Sequence, residues 1–197
     1  MKISLQSDID RVIKNMSAIA KKQVPFAASQ AINDVALDSQ RALKIQAEKK
    51  LDRPTRATVN SFRVKRSTKL NLKAEVFILP WAYEYLKYQI HGGIRRSSGK
   101  GTGVPFNARL NKFGNIPGRK KGLVKKKKQF IATIKGVSGV WERFGRGGKQ
   151  LKLVIAFEKE VRYSKRFEFT KIVQGVVKNK FNSHFSKRLS SALKTSF

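Results

Sequence analysis

The sequence predicts a single α+β domain, residues 1–197, with an N-terminal helical part and a C-terminal helix packed on an antiparallel sheet of four or five strands. Three observations predict it. Apolar residues recur at helical spacing at both ends of the chain, they alternate with period two in the middle, and the apolar content of 40% in 197 residues suffices for one ordinary core. Helices first, strands next and a helix last is the order of an α+β layer fold. The parts are 1–52, helical; 56–91, a hairpin and short helix; 92–128, a basic flexible loop; and 129–197, strands and the last helix.

Leu5, Ile9, Val12, Ile13, Met16 and Ile19 recur at helical spacing opposite Asp8, Asp10, Arg11 and Lys14, which predicts a short amphipathic helix. Pro25 disfavours helix at Val24 and suits the first turn of a second helix, expected over 25–51. The stripe of that helix is Ala28, Ala31, Ile32, Val35, Ser39, Ala42, Leu43 and Ala47. Such small residues permit close packing against a sheet.

Period two then takes over. Phe62 and Val64, and Leu72, Ala74, Val76 and Ile78, alternate with Arg63, Lys65, Lys73 and Glu75, a hairpin turning near Ser67, Thr68 and Lys69. Pro80 and Trp81 close the second strand, and a helix of one or two turns ends at His91, Gly92 and Gly93. From 94 to 128 the chain is rich in Gly, Ser, Lys and Arg, with no acidic residue between Glu84 and Glu142, the composition of a long basic loop. Strands are expected around 130–135 and 140–144, linked by Gly136, Val137, Ser138 and Gly139, and another through Leu151, Leu153, Ile155 and Phe157. Ile172, Val173, Val176, Val177, Phe181, Phe185, Leu189, Ala192 and Leu193 form the stripe of a helix beginning near Thr170.

Forty-four Lys and Arg against twelve Asp and Glu give a formal charge of +32, so the folded chain repels itself unless a polyanion compensates it. Nucleic acid is the expected partner. The absence of cysteine excludes disulfides and thiolate metal sites. No apolar run reaches signal-peptide or membrane-span length, which predicts a soluble, unexported chain with no membrane partner.

Catalytic residues, cofactor sites and metal sites are all expected to be absent. His91 and His184 lie far apart and fit no triad or metal-ligand spacing. A metal-dependent nuclease needs converging carboxylates, and Glu84, Glu142, Glu158, Glu160 and Glu168 converge only if the fold brings them together. Pairing with nearby cations is expected instead, Glu158 and Glu160 with Lys159 and Arg162. Gly99, Lys100, Gly101, Thr102 and Gly103 resemble a phosphate-cradling loop but lack the glycine and Lys-Ser/Thr spacing of one, so they read as a linker.

The candidate nucleic-acid contacts are Arg95, Arg96, Lys100, Arg119, Lys120, Lys121, Lys125, Lys126, Lys127 and Lys128. The basic excess continues through Arg143, Arg146, Lys149, Lys152, Arg162, Lys165 and Arg166, too many positions for one incidental solvated run. Phe106, Phe113, Phe130, Trp141 and Phe144 interleave with these charges in the manner of base-stacking platforms, although the strand spacing of Phe130, Trp141 and Phe144 predicts core.

Five stretches, in order, carry a resemblance that spans nearly the whole chain. They are Val24-Pro25-Phe26-Ala27-Ala28 with Ala31-Ile32-Asn33; Tyr85-Leu86-Lys87-Tyr88-Gln89-Ile90-His91-Gly92-Gly93; Asn111-Lys112-Phe113-Gly114-Asn115-Ile116-Pro117; Gly139-Val140-Trp141-Glu142-Arg143; and Tyr163-Ser164-Lys165-Arg166-Phe167-Glu168-Phe169. Together they resemble the tailed-phage minor tail proteins of the Z type and the related neck and tail-completion proteins. The resemblance implies a non-enzymatic virion protein, made in the host cytoplasm and placed at the head-proximal end of the tail or in the neck. It further implies a ring, six copies by analogy, that meets tail-tube, tail-terminator or neck proteins and contacts genomic double-stranded DNA without sequence specificity. Two other readings fit the charge or the carboxylates: a free nonspecific nucleic-acid-binding protein, and a metal-dependent nuclease.

Overall fold

The computed structural model describes residues 1–6, 18–97, 99, 101–117, 124 and 127–194, the side chains of residues 6 and 18–22 excepted. The fold is α+β with antiparallel sheets, and it divides into two compact units, Met1–Ile90 with Arg166–Phe197, and His91–Lys165.

The first unit begins with strand β1, Lys2–Gln6. Leu5 therefore starts no helix; Ile3 and Leu5 alternate with Lys2 and Ser4, and Leu5 lies opposite Ala74 in an antiparallel ladder. The remainder of the expected first helix up to residue 17, with Ile9, Val12, Ile13 and Met16, lies outside the described residues. Helix α1, Ala18–Lys50, runs through Pro25. Proline removes one backbone bond and usually breaks a helix, but here the turn on each side of it is continuous, and Val24, Ala27 and Ala28 are buried next to it. Tertiary burial outweighs the local preference.

A single turn of helix follows, α2, Arg56–Val59, capped by the Thr55 hydroxyl, which accepts from the Thr58 N–H. Strands β2, Phe62–Lys65, and β3, Lys73–Ile78, form the expected hairpin, and β3 is the centre of a three-stranded sheet ordered β1-β3-β2. Helix α3, Pro80–His91, has three turns where one or two were expected; Pro80 opens it, and Ala82, Leu86 and Ile90 are its buried face. Helix α4, Phe169–Lys194, closes the unit.

The core of this unit joins α1 (Ile32, Ala36, Leu43, Ala47) to the inward face of the sheet (Phe62, Ala74, Val76, Ile78), to α3 and to Phe167, Phe169 and Val173. The Phe62 ring lies 5.6 Å from that of Phe167 and 6.4 Å from that of Phe169. Except for half-buried Ala42, the expected α1 stripe is buried, and Ala27 and Ala36 widen it, because α1 packs against α4 as well as the sheet. Leu193, expected in the α4 stripe, is instead exposed.

The second unit holds the largest sheet, four strands ordered β5-β8-β7-β6, and a two-stranded ladder of β4 with β9. The strands are β4, Gly93–Arg96; β5, Thr102–Pro105; β6, Gln129–Ile134; β7, Val137–Phe144; β8, Gln150–Glu158; and β9, Glu160–Tyr163. Thus the segment 92–128, expected to be one flexible loop, contains two strands. Composition hid them, since Ile94 and Val104 are the only aliphatic residues in those strands and their order comes from pairing with β9 and β8. Helix α1 packs on the three-stranded sheet of its own unit, and α4 packs chiefly against α1.

The β6–β7 hairpin turns at Lys135 and Gly136, both with positive φ, two residues earlier than the glycine spacing suggests. Gly139 instead sits inside β7, where a Cβ would collide with the Ile155 carbonyl oxygen of β8.

Candidate nucleic-acid interface

The second unit carries twenty Lys and Arg against three carboxylates, Glu142, Glu158 and Glu160. Two of the three are engaged within the unit. Glu142 accepts a 2.8 Å hydrogen bond from Gln129 and lies 3.6 Å from the Lys152 ammonium, beside a cleft of about 290 Å³ lined also by Asn107, Arg109 and Ile116. Glu160 accepts from Arg96 at 2.9 Å across the β4–β9 ladder, a partner other than the sequence neighbours Lys159 and Arg162. The cationic excess of the unit is therefore largely uncompensated from within.

Part of that excess is organised on one sheet face. Residues directly opposite in an antiparallel ladder point to the same side. Phe130 lies opposite Trp141, and the Arg143 N–H donates to the Lys128 carbonyl at 3.0 Å, so Lys128, Phe130, Trp141 and Arg143 share a face. The Arg143 guanidinium stands 5.1 Å from the centre of the Phe130 ring. Trp141 is fixed by its indole N–H, which donates to the Ala132 carbonyl at 3.1 Å. Leu151, opposite Arg143, is exposed.

These aromatics were expected in the core. Phe130 and Trp141 are half-buried, and Phe144 is 39% exposed with the Lys152 ammonium 5.6 Å from its ring centre. The reason is that no α-helix occurs among the described residues of this unit to cover the sheet. Elsewhere in the unit Phe106 is 72% exposed, and the Lys112 ammonium stands 5.2 Å from the Phe113 ring centre.

Of the ten residues singled out from sequence, Lys100, Arg119, Lys120, Lys121, Lys125 and Lys126 lie outside the described residues. Lys127 and Lys128 are exposed where the chain enters β6. Arg95 is half-buried in β4, and Arg96 is held by Glu160. The Lys128, Phe130, Trp141 and Arg143 grouping was missed because it needs the β6–β7 register, which two positive-φ residues set and linear spacing does not reveal.

The first unit answers its carboxylates similarly. Asp34 accepts from Arg188 at 2.6 and 2.9 Å, and Asp38 accepts from Lys180 at 2.8 Å and meets His184 Nε2 at 3.1 Å. Glu75 lies 2.6 Å from Lys2, whose hydrogen bond, with the charges of Lys2, Lys65 and Lys73, holds its carboxyl below the ordinary range against the effect of burial. Glu84 pairs with Lys87 along α3, and Glu168, just before α4, pairs with Lys171 in its first turn. Among the described residues no three His, Cys, Asp or Glu are placed to hold a metal ion, and no helix is long and apolar enough to cross a membrane.

Comparison with protein-family models, with curated proteins and with solved structures finds no match.

Proposed function

We propose that this chain is a structural, non-enzymatic protein of a tailed-phage virion, a ring component at the head-to-tail joint that contacts genomic DNA without reading its sequence. The observation that carries the DNA contact is the charge of the second unit: twenty cations, three carboxylates and an aromatic-cationic sheet face. A surface of this kind attracts phosphates at many points, and phosphate contacts by themselves carry no sequence information.

The virion placement rests on the ordered stretches that resemble Z-type, neck and tail-completion proteins. Two of them meet in the first unit, where the Gln89 carbonyl accepts from the N–H groups of Arg166 and Phe167 at 2.8 and 3.0 Å. A motif pair that far apart in sequence and joined by backbone bonds has a structural reason to occur together.

The test is binding of the full chain to unrelated DNA duplexes across a salt series. Equal affinities and a steep linear fall of log affinity with log salt are expected. Each phosphate-contacting cation replaced by glutamine, beginning with Lys128 and Arg143, flattens the slope by about 0.9. Salt-independent or sequence-selective binding contradicts the reading.

A further inference from the structure

Leu70 stands at the apex of the β2–β3 hairpin and is 91% exposed, the highest value for a large apolar side chain among the described residues. Its position is fixed by the turn beneath it. The Thr68 N–H donates to the Asn71 carbonyl at 2.9 Å, and the Asn71 N–H donates to the Thr68 carbonyl and hydroxyl, each at 3.1 Å. One residue further down, Ser67 is buried and tied to α1: its N–H donates to Asn33 Oδ1 at 2.8 Å, its carbonyl accepts from Asn33 Nδ2 at 3.1 Å, and its hydroxyl donates to the Ser29 carbonyl at 3.1 Å. On the other leg Leu72 packs against the core. The apex therefore presents a fixed leucine on an anchored hairpin.

Its surroundings are uniformly cationic. Residues 63–73 contain Arg63, Lys65, Arg66, Lys69 and Lys73, all exposed, and no carboxylate. Because Phe62, Val64, Ala74 and Val76 face the core, Arg63, Lys65 and Lys73 lie on the opposite face of the sheet, leading to the apex. The nearest carboxylate on that face, Glu75, is already paired with Lys2.

We propose that this apex is a wedge for double-stranded DNA. Arg66, Lys69 and Lys73 engage phosphates on the two sides of a minor groove while Leu70 enters between adjacent base pairs, unstacking one step and bending the duplex. Apolar side chains flanked by cations act in this way in minor-groove architectural proteins, where the cost of unstacking is offset by contacts to the bent duplex. The alternatives fit less well. A second copy of this chain brings its own +32 charge to the contact. A bilayer gains little from one leucine side chain, since even a whole acyl chain anchors only marginally. The inference deepens the DNA-contact reading and rests on it.

The experiment uses the full chain with a duplex carrying 2-aminopurine at a TA step and a donor–acceptor dye pair on its ends. The native chain is expected to raise 2-aminopurine fluorescence and shorten the end-to-end distance. Leu70→Ala loses both signals and weakens binding by about tenfold or less, with the salt slope unchanged because no phosphate contact is removed. Leu70→Met restores the signals, and an unchanged thermal melt of Leu70→Ala confirms that the fold is intact. Salt-dependent binding without unstacking, or unstacking that survives Leu70→Ala, overturns the wedge while leaving the DNA contact standing. Absence of any DNA binding by the native chain overturns both. Leucine-dependent binding to phosphatidylglycerol vesicles without an effect on DNA overturns the wedge in favour of a lipid surface.

Discussion

Arg188 on α4 grips Asp34 on α1 with two hydrogen bonds, 2.6 Å from Nε and 2.9 Å from a terminal nitrogen, across 154 positions of sequence. One helical turn along α1, Asp38 meets His184, one turn from Arg188 on α4, and Lys180, two turns from it. Five polar groups thus set the alignment of two helices whose apolar contact in this stretch is modest: Val24 and Ala28 of α1 against half-buried Phe185 and Leu189.

Arg188→Ala and Asp34→Ala are each expected to lower unfolding free energy by about 1 kcal/mol, because the pair is bidentate but partly solvated. A double-mutant cycle by denaturant unfolding checks it. Additive losses with no coupling contradict a direct grip.

Acid is expected to loosen the same contact. Burial alone would raise the Asp38 carboxyl, but hydrogen bonds from Lys180 and His184 and their charges outweigh it and hold the group below its ordinary value of 3.8. A carboxylate depressed in the folded state contributes stability that is present above that ordinary value and is lost as pH falls through the folded one. Stability should therefore drop on going below about pH 4. Asp38→Asn should reduce that drop, as read by thermal melts across an acid series.

Gly139→Ala is expected to destabilise the second unit by about 3 kcal/mol, because the new methyl meets the Ile155 backbone, which cannot move without parting β7 from β8. Hydrogen exchange of the β7 and β8 amides localises the damage. Native protection in both strands contradicts the packing argument.

The α+β class was legible because long periodic stretches survive local exceptions: α1, the β2–β3 hairpin and α4 all stand where the apolar periods place them. The misreadings share a cause. Leu5 and Ile3 belong to a short strand whose pairing with β3 outweighs a helical spacing, and Pro25 stays inside α1 because buried neighbours hold the turn. Strands β4 and β5 consist largely of Gly, Arg and Thr, so only their partners define them. At the candidate interface the charge was legible and its arrangement was not. Arg96 looks free until Glu160 arrives from 64 positions away, and Arg143 meets Phe130 only once the hairpin register is set.

The most direct test of the virion reading is cryo-electron microscopy of phage particles from cells that produce this chain. The account predicts a ring of density that fits both units at the joint between head and tail, with the aromatic-cationic face of Lys128 and Arg143 or the Leu70 apex toward the DNA. Intact particles whose head, neck and tail are fully accounted for without this chain would contradict it.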